Sequence, residues 1–117
     1  MRRIAVHPRG RSLRNGDTAD GSGDTRVPAA STRKIAILFA CLRLVASGML
    51  DLGQRIVIEA RHQFNDSGCV RFLRPNLPLT MLDALTLMIV VSDNSCTAAI
   101  MEMMGLEAVN RFSRDVP

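Results

Sequence analysis

The run Ile35-Ala36-Ile37-Leu38-Phe39-Ala40-Cys41-Leu42 places the strongest constraint on the fold. Between Lys34 and Ser47 the one charged residue is Arg43, and Gly48 follows as a stop signal, so Ser31 to about Ser47 reads as a helix. A helix that is apolar on nearly every side must be central and covered by other elements. It is therefore a rigid mount for whatever chemistry stands at its start. What stands there is Val27-Pro28-Ala29-Ala30-Ser31-Thr32-Arg33-Lys34, and Lys34 is the only lysine in a chain with fourteen arginines.

The other segments follow from punctuation. Ile4-Ala5-Val6 suits a short strand, turning at Pro8-Arg9-Gly10 and returning through Ser12-Leu13-Arg14. Residues 15 to 25 are polar and Gly-rich, a flexible loop with nothing to bury. Ile56-Val57-Ile58 is β-branched and reads as a short extended piece, and residues 59 to 78, with two prolines and Asn65-Asp66-Ser67-Gly68, as an irregular excursion. Thr80 starts a second buried helix, with Asp83 in the capping-box position and Leu79 as a staple, running to Val91. Ser92-Asp93-Asn94 breaks it. Asp93 or Asn94 caps a third helix ending at Met104-Gly105, and Leu106 to Ser113 forms a last amphipathic turn or two.

A chain of 117 residues with 47% hydrophobic content has room for one domain and its core. With 3% aromatics and neither Trp nor Tyr, that core must be Leu, Ile, Val, Ala and seven Met, which favours helices over a sandwich. Cys41, Cys69 and Cys96 show no zinc spacing and are odd in number; Cys41 and Cys96 read as small buried hydrophobes. No metal or cofactor is expected. His7 and His62 lack an acidic partner at ligand spacing and read as surface residues, Glu102 and Glu107 as solvated helix charges, and Ile100, Met101, Met103 and Met104 as core. Arg2, Arg3, Arg9, Arg11 and Arg14 make a basic arm within a net charge of +4, read as solvated, since the aromatics that stack single strands are missing. No specific nucleic acid and no membrane are expected as partners. The apolar runs fall short of the roughly 20 residues that cross a bilayer, and no signal peptide is evident.

Ser31 and Lys34 stand three residues apart, on one face of a helix. A serine hydroxyl becomes nucleophilic beside a base, and a lysine becomes a base when desolvation lowers its pKa. A helix N-terminus adds N–H groups and a positive dipole end for an oxyanion. The spacing alone is common. Ser92-Asp93-Asn94, a polar break between two buried helices, is the second element.

S-x-x-K followed by S-D-N resembles class A β-lactamases and penicillin-binding proteins. The surrounding text is similar too: Val27 to Thr32 before the nucleophile, Gly48 to Leu52 after its helix, and Leu79 to Leu85 leading into Val91 to Ala98. The resemblance covers roughly residues 27 to 113. It implies a single α+β domain of the β-lactamase/transpeptidase-like fold over residues 1 to 117, present as its N-terminal half: a strand or hairpin and loop over 1 to 26, then a mostly helical portion. It implies that Ser31 is acylated and lends its N–H to the oxyanion hole, that Lys34 accepts a proton, that Ser92 relays one to the leaving nitrogen, and that Asn94 holds the substrate's side-chain amide. The substrate would be a β-lactam.

Two departures from the family pattern stand out: no lysine follows Lys34 to supply K-T-G, and the chain ends before the family's deacylating glutamate loop. Little or no turnover by this polypeptide alone is therefore expected. The family is typically exported. Rival readings are a transpeptidase-like or other acyl hydrolase of the same fold, and a non-catalytic helical module with a basic arm.

Overall fold

The computed structural model describes residues 9–20, 30–63 and 67–115. Among the described residues there are two antiparallel strand pairs and four helices: β1 (Arg9–Arg11), β2 (Thr18–Asp20), α1 (Arg33–Ala46), β3 (Arg55–Ile58), β4 (Leu77–Thr80), α2 (Met81–Val90), α3 (Asn94–Met104) and α4 (Leu106–Asp115). Short 3-10 turns stand at Ala30–Thr32, Ala60–His62 and Val70–Phe72.

The helix punctuation acts where the sequence places it. Past α1, Gly48 takes φ +76°, and Gly48 N–H and Met49 N–H donate to the carbonyls of Val45 and Leu44, closing the last turn in a Schellman arrangement. Thr80 Oγ1 accepts from Asp83 N–H at 3.1 Å and donates to the Asp83 carboxylate at 2.7 Å. The first two N–H groups of α2, those of Met81 and Leu82, donate to the carbonyls of Gln54 and Leu52, so the helix start is sewn to the chain leading into β3.

Three expectations need correction. The N-terminal hairpin pairs Arg9–Arg11 with Thr18–Asp20, so Arg9 and Gly10, expected in a turn, lie in its first strand, Ser12-Leu13-Arg14 is not the return, and part of the expected loop is the second strand, with Gly10 opposite Ala19 and Arg11 opposite Thr18. Its turn is Ser12 to Asp17: Asn15 Oδ1 accepts from Asp17 N–H at 3.3 Å, Gly16 takes φ +78°, and Ser12 N–H donates to the Asp17 carbonyl at 2.7 Å. The proposed strand Ile4-Ala5-Val6 and the loop beyond Asp20 lie outside the described residues. Second, the excursion over 59 to 78 is partly ordered: Leu77–Thr80 pairs with Arg55–Ile58, placing Ile56 opposite Leu79 and Ile58 opposite Leu77. Pro78 lacks an N–H, and such a short proline-containing run shows no strand signature without its partner. Third, α1 and α2 are covered on one side only among the described residues. Ile37 and Cys41 of α1 and Met81 and Met88 of α2 are buried with Ile58 and Ile100, whereas Ile35, Phe39, Ile89 and Val90 are exposed. Helix α4 partly covers α1 through Phe112 stacked on Phe39, ring centroids 6.1 Å apart, and an Arg43–Asp115 ion pair at 2.7 Å.

Cys41 and Cys96 are fully buried, as read from the sequence, and Cys69 is exposed. Burial raises both inner thiols, Cys96 to about 12 with the Asp93 carboxylate adding to the effect. In the native chain a disulfide reagent should therefore label Cys69 alone quickly, and Cys41 and Cys96 only with unfolding. Peptide mapping of the labelled chain with and without urea checks this; fast labelling of Cys96 in the native chain would contradict the packing.

Candidate active site

Two backbone segments converge at the candidate site. Ser31 occupies the 3-10 turn before α1, and Lys34 sits in the first turn of α1. Ser92 and Asn94 flank Asp93 at the break between α2 and α3. The structure brings all four together. Lys34 Nζ donates to Ser92 Oγ at 2.8 Å, to the Ser92 carbonyl at 2.6 Å and to Asn94 Oδ1 at 2.7 Å. Ser92 Oγ in turn donates to the exposed Ser31 Oγ at 3.0 Å. The line between Ser31 and Lys34 thus runs through Ser92, a residue 61 positions along the chain. Asn94 Oδ1 is taken up by the lysine, which leaves its amide N–H₂ to donate outward.

Lys34 is only 3% exposed. Its burial holds the ammonium below the ordinary lysine value, Arg33 repels it in the same direction, and Asp93 opposes the shift. Its three acceptors favour the charged form, against the effect of burial.

The backbone at both segments is unusual. Ala30, just before the serine, has φ 45°, and Ser92 has φ 56°. A left-handed non-glycine residue costs on the order of 1–3 kcal/mol and persists where its surroundings over-determine it. At Ser92 the surroundings are explicit. Its carbonyl accepts from Lys34 Nζ and, at 3.0 Å, from Ser67 Oγ; Asn94 N–H donates to the Ser67 carbonyl at 3.0 Å.

Asp93, fully buried, is the N-cap of α3: Oδ1 accepts from Cys96 N–H at 3.0 Å, while Oδ2 accepts from both Cys69 N–H and Val70 N–H at 2.8 Å. One carboxylate therefore caps a helix and pins the 67–70 loop. The loop passes so close that a Cβ on Gly68, at φ +98°, would lie 2.2 Å from Asp93 Oδ2. The sequence offers Asp93 as a cap; it carries no sign of this second duty, nor of Ser67 and Gly68 as part of it. The glycine after three polar residues was the available signal, and it pointed to a turn, not to a partner.

His62 and Glu102 also depart from expectation. His62 is buried, not on the surface. Its Nδ1 accepts from Glu59 N–H at 3.0 Å, which leaves Nε2 to carry the proton and donate to Glu102 at 2.7 Å. Glu102 also pairs with Arg61 at 2.7 Å, and the bonds from Arg61 and His62 pull its carboxyl down to about 2. It ties α3 to the Ala60–His62 turn and is no free helix charge. Glu107 pairs with Arg114 at 2.6 Å within α4. Met101, Met103 and Met104 pack against the core, as expected.

Beside the site, a cavity of about 570 Å³ lies between α1, α3 and α4, lined by Arg33, Ile37, Asn94, Thr97 and Met101 among others. Among the described residues no cluster of His, Cys, Asp and Glu is placed to hold a metal ion, and no helix is long and apolar enough to cross a membrane.

Comparison with known proteins bears on the family and the fold. The family model described as "Beta-lactamase enzyme family" matches residues 9–116. Among solved structures, a β-lactamase from Sphaerobacter thermophilus is 40% identical with a TM-score of 0.77, over 82% of this chain and 36% of that one. PBP-A is 29% identical with a TM-score of 0.84, over 90% of this chain and 40% of that one. An ancestral class A β-lactamase is 25% identical with a TM-score of 0.79, over 91% and 41%. The chain thus spans about two fifths of the solved structures it matches. Comparison with curated proteins finds no match. With its helical layer, its short antiparallel strands and a match across nearly its whole length, the chain has the β-lactamase/transpeptidase-like fold and belongs to the β-lactamase enzyme family.

Proposed function

We propose that Ser31 is the nucleophile of a class A β-lactamase-type serine hydrolase that opens the amide of a β-lactam. The supporting observation is the hydrogen-bonded line from Lys34 Nζ through Ser92 Oγ to Ser31 Oγ, at 2.8 and 3.0 Å. With Lys34 neutral, the two hydroxyls turn so that Ser31 donates to Ser92 and Ser92 to Lys34. Attack of Ser31 Oγ on the lactam carbonyl then forms the Oγ–C bond, and the serine proton moves along the line to Lys34. As the C–N bond breaks, the proton returns through Ser92 to the leaving nitrogen, giving an ester on Ser31. The Ser31 backbone N–H, at the start of the helix, is assigned to the oxyanion. The free N–H₂ of Asn94 is assigned to the substrate's side-chain carbonyl.

A second reading has a specific observation behind it. A mutant of PBP-A, 29% identical to this chain, is described as an acyl-enzyme complex with penicillin G. A penicillin-binding protein shares the acylation step and differs in how slowly the ester is hydrolysed. Penicillin G incubated with the natural full-length polypeptide and followed by intact-mass spectrometry tests both. An adduct on Ser31 that clears supports the hydrolase; one that persists supports the penicillin-binding reading. No adduct on Ser31, or the same adduct in Ser31→Ala, would overturn both.

A further inference from the structure

We infer that Ser67 is a positioning residue for the proton relay, acting through the Ser92 peptide; this rests on the acylation reading above. Ser67 holds both ends of the Ser92-Asp93-Asn94 segment. Its hydroxyl donates to the Ser92 carbonyl at 3.0 Å, and its own carbonyl accepts from Asn94 N–H at 3.0 Å. Both flanking residues contact Lys34, so Ser67 grips the two residues that surround the ammonium.

The grip has work to do because of where Ser92 sits. Its left-handed φ of 56° is not what a serine adopts unaided, so the direction of its carbonyl and of Oγ depends on outside contacts. The Asp93 carboxylate anchors residues 69 and 70 and the start of α3, and addresses neither the Ser92 carbonyl nor its hydroxyl. That carbonyl has two lone pairs, one facing Lys34 and the other Ser67. A neutral donor on one weakens what the other offers an ammonium. Removing it lets the carbonyl accept more strongly from Lys34 and favours the charged lysine, while Ser92 Oγ loses its fixed place between Ser31 and Lys34.

Lys34 is the only lysine of this sequence, so ¹³C-lysine labelling of this chain gives a single side-chain resonance, and in a longer polypeptide the resonance lost in Lys34→Met identifies it. The test compares Ser67→Ala and Ser67→Thr, the latter keeping the hydroxyl. In Ser67→Ala the Lys34 resonance should titrate at higher pH, and acylation by penicillin G at neutral pH should slow by about 10- to 100-fold, the scale of a misplaced catalytic group. The rate should recover in part as pH rises. Ser67→Thr should keep the wild-type titration and a rate within a few fold of wild type. A merely structural role would lower the thermal midpoint and leave the titration in place. An unmoved Lys34 titration in Ser67→Ala, or a threonine variant as impaired as the alanine one, overturns the inference. If the wild type forms no adduct, the acylation reading fails separately, and the Lys34 titration still decides the part played by Ser67.

Discussion

Lys34→Met should lower the rate of Ser31 acylation by penicillin G by about 10²- to 10⁴-fold, the range a positioned general base contributes. Methionine keeps the apolar stem that burial of Lys34 requires and discards the amine. The Ser92 carbonyl, Ser92 Oγ and Asn94 Oδ1 then all lose a donor, so the relay is interrupted at its base end and Asn94 is freed to turn. The pH dependence gives the sharper check. Because burial lowers the Lys34 pKa, the wild-type acylation rate should rise with pH through an inflection below the ordinary lysine range, as the neutral amine becomes populated. In Lys34→Met that inflection should vanish. Stability follows with a definite sign: between the lowered folded pKa and the ordinary value the unfolded chain binds more protons, so native stability should rise with pH across that window. Acylation rates and urea midpoints over a pH series measure both. An acylation profile of Lys34→Met that keeps the wild-type inflection would remove the lysine from the mechanism.

Gly68→Ala should destabilise the chain by about 3 kcal/mol or more, a drop in thermal midpoint of roughly 12 °C or more for a domain of this size. The added Cβ would lie 2.2 Å from Asp93 Oδ2 and 2.5 Å from Asp93 Cα, and φ +98° is itself strained for alanine. A flexible side chain could swing aside. A backbone atom at the cap of α3 cannot, so either the 67–70 loop lifts away or Asp93 surrenders its three N–H bonds while still buried. Gly10→Ala is the control, since nothing lies within 4 Å of a Cβ there, and it should change stability by no more than about 0.5 kcal/mol. Equal melting of Gly68→Ala and wild type would refute the close approach.

These two sites differ in how far they could be read beforehand. Ser31, Lys34, Ser92 and Asn94 are recognisable because two short motifs keep their internal spacing in any chain that uses them, and the structure brings all four within hydrogen-bond reach. The clamp made by Ser67, Gly68 and Asp93 has no comparable signature. Its bonds span 23 to 25 residues, and nothing in Asn65-Asp66-Ser67-Gly68 names the carboxylate it will meet. His62 misled for the same reason: its acidic partner Glu102 lies 40 positions away, beyond any ligand spacing visible along the chain.

The sequence by itself determined where several helices start and stop. Helix starts at Thr80 and Asp93 and stops at Gly48 and Gly105 depend on caps and on backbone freedom within a few residues, and all four act where they were read. It also contains the two motifs that hold the residues proposed to act, Ser31, Lys34, Ser92 and Asn94. The tertiary structure alone decided the pairing of β3 with β4, the one-sided cover of α1, and the route from Ser31 to Lys34 through Ser92. Each of these joins groups distant in sequence. Such contacts are selected by the packing of the whole core, and no window of neighbouring residues contains them.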